Sequence, residues 1–190
     1  MSTKSIKVTF TLGESDARYF RRLYHHAKKV ARGHDAEIIL KTAKTLVQTV
    51  RKTKRVPAFV TEAVENIDTL VRMLNDPDYK VAKNVREEVI AALAYFSNPY
   101  DLIPDNIPAF GFLDDAIMIK FVEDELKHDI WAYRKFCEFR NSAEQRPWTK
   151  VATGRLPQRL VEHQVKLQAK VKQRKAAENL RRKALKNLGW

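Results

Sequence analysis

The stretch from Ala94 to Asp115 constrains the fold more than any other part of the chain. It combines three prolines, one glycine and four aspartates with several large apolar residues. Proline removes a backbone donor and fixes φ, so prolines four or five residues apart exclude one continuous helix. The apolar side chains still require burial, which predicts a rigid, buried connector between two helices. We call it the proline loop, and its marked residues are Pro99, Pro104, Pro108, Gly111, Asp101, Asp105, Asp114 and Asp115.

The order of residues in the proline loop resembles the signature of the YkvA-like bacterial family, a domain of unknown function. The resemblance extends from about Val85 to Phe121, and it implies that the loop is the defining element of the domain. It implies no reaction, because the family is functionally uncharacterised. Some relatives carry a membrane segment, from which this chain departs. The matching residues are Pro99, Asp101 to Asp105, Ile107, Pro108, Gly111 and Leu113 to Asp115.

The remaining patterns predict a mainly α, single helical domain with one short N-terminal β-strand and a long, basic C-terminal helix. Polar and apolar residues alternate from Ile6 to Leu12, which is typical of a half-buried strand. Elsewhere the apolar residues recur at helical spacing. The predicted helices run from about Ser15 to Arg32, Asp35 to Val50, Pro57 to Asn75, Tyr79 to Ser97, Ala116 to Ser142 and Leu156 to Leu188.

The chain is predicted to divide into a helical globular domain, residues 1–147, and a linker with a basic helical tail, residues 148–190. Within the first part, the helical hairpin around the proline loop covers about residues 79–142. Apolar residues in the tail are sparse and drift around the helix surface. The tail is therefore expected to be exposed or bound to something else.

The net charge of +13 is unevenly distributed along the chain. The first 56 residues carry 14 basic and 4 acidic side chains, a balance of +10. Residues 57–149 carry 10 basic and 17 acidic side chains, a balance of −7, and the remainder carries 12 basic and 2 acidic, again +10. Two basic ends around an acidic centre indicate either a polyanionic partner for the ends or docking of the ends onto the centre.

The leading functional hypothesis is a non-enzymatic interaction protein whose basic ends bind a polyanion, with nucleic acid ranked first. A strand followed by two helices would also suit a ribbon-helix-helix dimer on DNA. Alternatives are peripheral binding of the tail to an anionic membrane surface and a homodimer formed through the N-terminal strand or the C-terminal helix. The predicted polyanion-binding residues are Lys7, Arg18, Arg21, Arg22, Lys28, Lys29, Lys166, Lys170, Lys172, Arg174, Lys175, Arg181, Arg182 and Lys183.

Enzymatic chemistry finds less support in the sequence, and no cofactor is expected. The four aspartates of the proline loop could meet in a divalent-metal site, which leaves a metal-dependent enzyme or regulator as an alternative. Glu125 and His128 have the spacing of a di-iron ligand pair but no second such pair accompanies them. The single cysteine, Cys137, is expected to be a buried hydrophobe. The longest apolar run has eight residues, Val89 to Phe96, and a cytoplasmic protein is expected.

Overall fold

The computed structural model of the protein describes residues 11, 13–31, 35–53, 56, 58–95, 113–144 and 155–187. These residues form six helices, and the six predicted helices are confirmed with small differences at their ends. We number them α1 Glu14–Ala31, α2 Ala36–Lys52, α3 Ala58–Asn75, α4 Lys83–Tyr95, α5 Leu113–Glu144 and α6 Leu156–Asn187.

The prediction of an N-terminal strand is wrong, because the described residues form no strand. Every secondary-structure element within the described ranges is a helix, so the fold is all-α there. Of the predicted strand, only Thr11 is described, and it is exposed and without regular structure. A strand needs a partner to satisfy its ladder of hydrogen bonds, and the described chain offers none.

The helix ends follow ordinary capping chemistry. The carboxylate of Asp35 accepts a hydrogen bond from the backbone N–H of Glu37 at 2.9 Å and caps α2. At the other end of α2, the N–H of Thr53 donates to the carbonyls of Thr49 and Val50. The carboxylate of Asp16, in the first turn of α1, accepts a hydrogen bond from the N–H of Gly13 at 2.8 Å.

α4 begins four residues later than predicted because the residues before it are used in tertiary contacts. Tyr79 is buried, and its ring centre lies 5.0 Å from those of Tyr133 and Phe136 on α5. The next residue, Lys80, exchanges backbone hydrogen bonds with the side chain of Gln164 on α6. Residues 76–82 therefore form a turn that joins α3, α5 and α6.

The helices pack around one hydrophobic core. α1 lies against α4, α2 against α3 and α4, α3 against α5, and α5 against α6. The core cluster includes Phe20 and Tyr24 of α1 as well as Leu160, Leu167 and Val171 of α6. Both basic ends of the chain thus contribute apolar side chains to the same core.

A buried polar cluster holds the turn after α3 on α5. The side chain of Asp76 is 5% exposed and accepts hydrogen bonds from Arg140 at 2.8 Å and from the hydroxyl of Tyr133 at 3.0 Å. Burial by itself raises the pKa of Asp76, but the hydrogen bonds from Arg140, from the backbone of Asp78 and from Tyr133 outweigh it and lower the pKa below the ordinary value of 3.8. The carboxylate is therefore ionised and fully partnered at neutral pH.

Charge complementarity holds α6 on α5. The carboxylate of Asp129, 10% exposed, lies 2.7 Å from Nζ of Lys175, and no other basic side chain of the described residues forms an ion pair with it. The guanidinium of Arg174 lies 3.8 Å from the ring centre of Trp131. A buried charge without a partner destabilises a fold. Lys175 supplies the partner of Asp129, so α5 needs α6 packed against it.

We expect Lys175→Met to lower the free energy of unfolding by about 2 kcal/mol, because it leaves the Asp129 carboxylate buried without a cation. Asp129→Asn in the same chain should recover at least half of that loss. Urea unfolding measures both effects. Lys172→Met is the matched control, since Lys172 is exposed and forms no ion pair within the described ranges. Equal effects of the two lysine substitutions would contradict the role of the pair.

The Asp76 cluster predicts a specific loss of stability in acid. The pKa of Asp76 is lower in the folded protein than in the unfolded chain. The ionised carboxylate therefore contributes fully to stability above the ordinary pKa of 3.8, and this contribution is lost as pH falls through the lower pKa of the folded protein. Asp76→Asn should therefore destabilise the protein at pH 7 by about 2 kcal/mol, and the difference from wild type should shrink as pH falls below the ordinary pKa of 3.8. Asp78→Asn is the control, because Asp78 contacts the same Arg140 at 3.1 Å but is 49% exposed. Urea unfolding of the three proteins across this pH range provides the measurement.

Candidate polyanion-binding surface

One face of α1 is basic along its length. At 100° per residue, Arg18, Arg21, Arg22, His25 and Lys29 fall within about a third of the helix circumference, opposite the buried side chains of the same helix. The stripe is ~16 Å long at 1.5 Å per residue. We call these five residues the α1 basic face.

The α1 basic face contains a shallow depression of about 520 Å³. Three arginines and a histidine line a space with room for a phosphate group, and guanidinium groups bind phosphate oxygens through paired N–H donors. The lining residues are Ser15, Arg18, Arg21, Arg22 and His25.

Within the described residues, the cations of the α1 basic face lack strong ion pairs and can bind an external anion. Arg18 forms an ion pair with Glu14 at 3.3 Å, but the two side chains are 64% and 93% exposed, so solvent screens the pair. Within the described residues, Arg21, Arg22 and Lys29 form no ion pair and are exposed. Two further predicted residues stay untested, because Lys7 and the side chain of Lys28 lie outside the described part of the chain.

In contrast to α1, α6 directs part of its charge inward. Lys175 pairs with Asp129, and Arg174 stacks on Trp131. Arg182 donates to Glu178, one turn before it on the same helix, at 2.8 Å. These three predicted polyanion-binding residues therefore already have partners within the chain. The others with described side chains are exposed and form no described ion pair, namely Lys166, Lys170, Lys172, Arg181 and Lys183.

Glu178 is the acidic centre of a second link between α5 and α6. One of its oxygens lies 2.6 Å from Nζ of Lys127, and the other lies 2.7 Å from Nε2 of His128. The hydrogen bond from Lys127, followed by that from His128, lowers the pKa of Glu178 to about 2. Glu178 is therefore ionised and paired at neutral pH.

Residues 96–112 of the proline loop lie outside the described residues, so six of its predicted site residues cannot be placed around a site. These are Asp101, Asp105, Pro99, Pro104, Pro108 and Gly111. Asp114 and Asp115 belong to the first turn of α5, where the helix dipole favours negative charge, but their side chains are not among the described ones. A divalent-metal site built from these aspartates stays a prediction.

The other candidate chemical groups have structural partners. His128 contacts Glu178 and not Glu125, so the di-iron spacing is not used in that way. Cys137 is half-buried, with its sulfur 3.9 Å from the guanidinium of Arg140. Within the described ranges, no group of three or more His, Cys, Asp or Glu side chains could hold a metal ion.

His25 is absent from the predicted polyanion-binding residues, yet it lines the depression on α1. The spacing of seven residues from Arg18, four from Arg21 and three from Arg22 places it on the same helical face as these arginines. That spacing was the available signal. The inward pairing of Lys175 and Arg182 had no comparable signal, because it depends on which face of α6 meets α5.

Comparison with known proteins agrees with the resemblance read from the proline loop. Residues 88–121 match the family model described as a protein of unknown function (DUF1232). The chain is 30% identical over 81 residues to the uncharacterized membrane protein YkvA of Bacillus subtilis (strain 168), an alignment that covers 40% of this chain and 74% of the relative. No solved structure matches the chain.

The relative's description as a membrane protein contradicts the cytoplasmic location expected from the sequence, and that expectation is corrected here. One basis of the expectation was the short length of the longest apolar run, which bears on membrane-crossing helices alone. Among the helices that the structure describes, none is long and apolar enough to cross a bilayer.

A chain that ends at Lys150 is expected to be less stable than the whole chain by about 3 kcal/mol or more. Removal of α6 uncovers the core next to Leu160, Leu167 and Val171, each worth roughly 1.5–3 kcal/mol when buried, and it leaves Asp129 unpaired. Urea unfolding monitored by far-UV circular dichroism checks this. A chain that ends at Lys183 is the control because it keeps the contacts with α5. Equal midpoints for the short and the whole chain would show that α6 is not held on α5.

Proposed function

The chain belongs to the YkvA-like family of DUF1232 proteins, and on that premise we propose that it is a non-enzymatic protein that binds an anionic phospholipid surface through the α1 basic face. One observation carries the proposal. The cations of that face point away from the core and lack strong partners within the described chain. A rigid helix that presents them along ~16 Å can contact several headgroups at once.

Rigidity favours binding, because α1 needs no ordering when it meets the surface. Phe20 and Tyr24 are buried on the side of α1 that faces α4, and the hydroxyl of Tyr24 contacts the backbone carbonyl of Glu88 at 3.4 Å. The opposite side is thereby presented to solvent in one fixed orientation. Arginines held in this way lose less conformational entropy on binding than arginines in a free tail.

The name of the relative supports a membrane surface over other polyanions. It describes YkvA of Bacillus subtilis as a membrane protein and says nothing of nucleic acid. The sequence ranked nucleic acid first because clustered Lys and Arg bind any phosphate polymer. The depression lined by Arg21, Arg22 and His25 suits a phosphate of either source, so nucleic acid is a competing outcome of the same experiment.

Replacing Arg21, Arg22 and Lys29 together by Gln should lower the partition coefficient onto vesicles of phosphatidylcholine and phosphatidylglycerol in equal parts by about 100-fold. The reason is that each basic residue near an anionic surface contributes about 1 kcal/mol. Binding of the wild-type protein should weaken as salt is raised. Vesicle flotation over a range of lipid concentrations measures the coefficient.

The matched control replaces Lys41, Lys44 and Lys52 of α2 by Gln, which removes the same number of exposed charges from another helix. This control should lose less than about tenfold, since charges distant from a contact act only through the screened field. Equal losses in the two variants would mean that net charge alone drives binding. Absence of vesicle binding by the wild type, together with salt-sensitive binding of labelled duplex DNA, would replace the phospholipid proposal with nucleic acid.

A further inference from the structure

The C-terminal helix α6 has two apolar faces, and only one of them is packed. Leu160, Leu167 and Val171 lie on the face that meets α5 and are buried. Val161 and Val165 lie on the opposite side, 53% and 59% exposed, and Leu180 further along α6 is 69% exposed. These three are the most exposed large apolar side chains of α6 in the described chain.

The exposed apolar residues of α6 form one stripe. Steps of four, four, three, four and four residues keep successive positions within about 100° of the helix circumference. The stripe contains no aromatic side chain and includes one lysine. We call it the α6 outer face, and its members are Val161, Val165, Ala169, Lys172, Ala176 and Leu180.

The surroundings of the α6 outer face are basic. Lys183 continues the stripe and Lys166 lies about 40° beyond one of its edges, both of them exposed. The acidic exception is Glu162, which accepts a hydrogen bond from Gln158 at 3.1 Å near the start of the helix. An occupant of this face must therefore satisfy apolar and cationic groups at the same time.

These charges argue against a second copy of the chain as the occupant. Two α6 outer faces in contact would bring two sets of lysines together, and within the described length of α6 the acidic side chain near this face is Glu162. Like charges at such distances oppose association. Nucleic acid would satisfy the lysines but leave the valines and Leu180 without an apolar partner.

An anionic membrane interface satisfies both kinds of group. Apolar side chains of a helix that lies in the plane of the membrane enter the boundary between headgroups and acyl chains, while Lys side chains extend to the phosphates. Val161, Val165 and Leu180 have the exposure that this mode requires, and Lys172 lies between them along the helix.

We infer that the α6 outer face is a second, apolar contact with the anionic phospholipid surface, in addition to the electrostatic contact made by the α1 basic face. This inference rests on the proposed function. The two contacts differ in chemistry: salt weakens the first, whereas the second depends on apolar area. The protein would thus retain part of its affinity for vesicles at salt concentrations that screen the α1 basic face.

The test replaces Val161, Val165 and Leu180 together by Ser in the full chain. The expected result is a fall of about tenfold in the partition coefficient onto phosphatidylcholine and phosphatidylglycerol vesicles at moderate salt, and loss of the salt-resistant fraction, since the apolar area leaves water only on binding. The urea midpoint should be unchanged, because these side chains lie outside the core cluster. Ile38→Ser is the matched control, since Ile38 of α2 is 58% exposed.

The outcomes separate this inference from the proposal on which it rests. Unchanged partition of the triple-Ser variant, with loss of binding in the variant that lacks Arg21, Arg22 and Lys29, overturns the role of the α6 outer face and leaves the α1 proposal standing. A change in sedimentation from dimer to monomer without a change in partition assigns the face to a homodimer and also overturns it. No vesicle binding by the wild type overturns both.

Discussion

The contact between Asp129 and Lys175 is the constraint on which the arrangement of the C-terminal half depends. The carboxylate of Asp129 is 10% exposed and lies 2.7 Å from Nζ of Lys175, and this lysine belongs to α6, the next helix along the chain. Docking of α6 supplies this cation. The stacking of Arg174 on Trp131 and the pairing of Glu178 with Lys127 and His128 then fix the register of the two helices.

The positive charge of the two basic segments therefore serves different purposes in the structure. Part of the positive charge of the C-terminal segment neutralises the acidic centre, as the inward orientation of Lys175 shows. The positive charge of α1 has no such use, because α1 meets α4 through Phe20 and Tyr24 and keeps its arginines outside. Counting charges along a sequence cannot separate these two uses, since the difference lies in which side of each helix is buried.

Helical periodicity allowed much of the fold to be predicted, and tertiary contacts account for what was missed. The stripe from Ile39 to Val50 and the cap at Asp35 gave α2 correctly, because both signals are local. The start of α4 was misplaced because Tyr79 packs against Tyr133 and Phe136, which are more than fifty residues distant. The strand was predicted from alternation alone, which does not reveal whether a partner strand exists. On the α1 basic face, the arginines were predicted from composition and His25 was missed, although its spacing from the arginines was available.

The two hydrogen bonds between Gln164 and Lys80 join residues that are 84 positions apart, and they have a consequence for biosynthesis. Gln164 is 5% exposed, so its amide is committed to the backbone of the turn in the finished protein. At translation rates of roughly 5–20 residues per second, Lys80 is synthesised about 4 to 17 seconds before Gln164. During that interval the amide and carbonyl of Lys80 lack the partner that they have in the finished protein. The turn after α3 can be completed only once Gln164 of α6 has been synthesised.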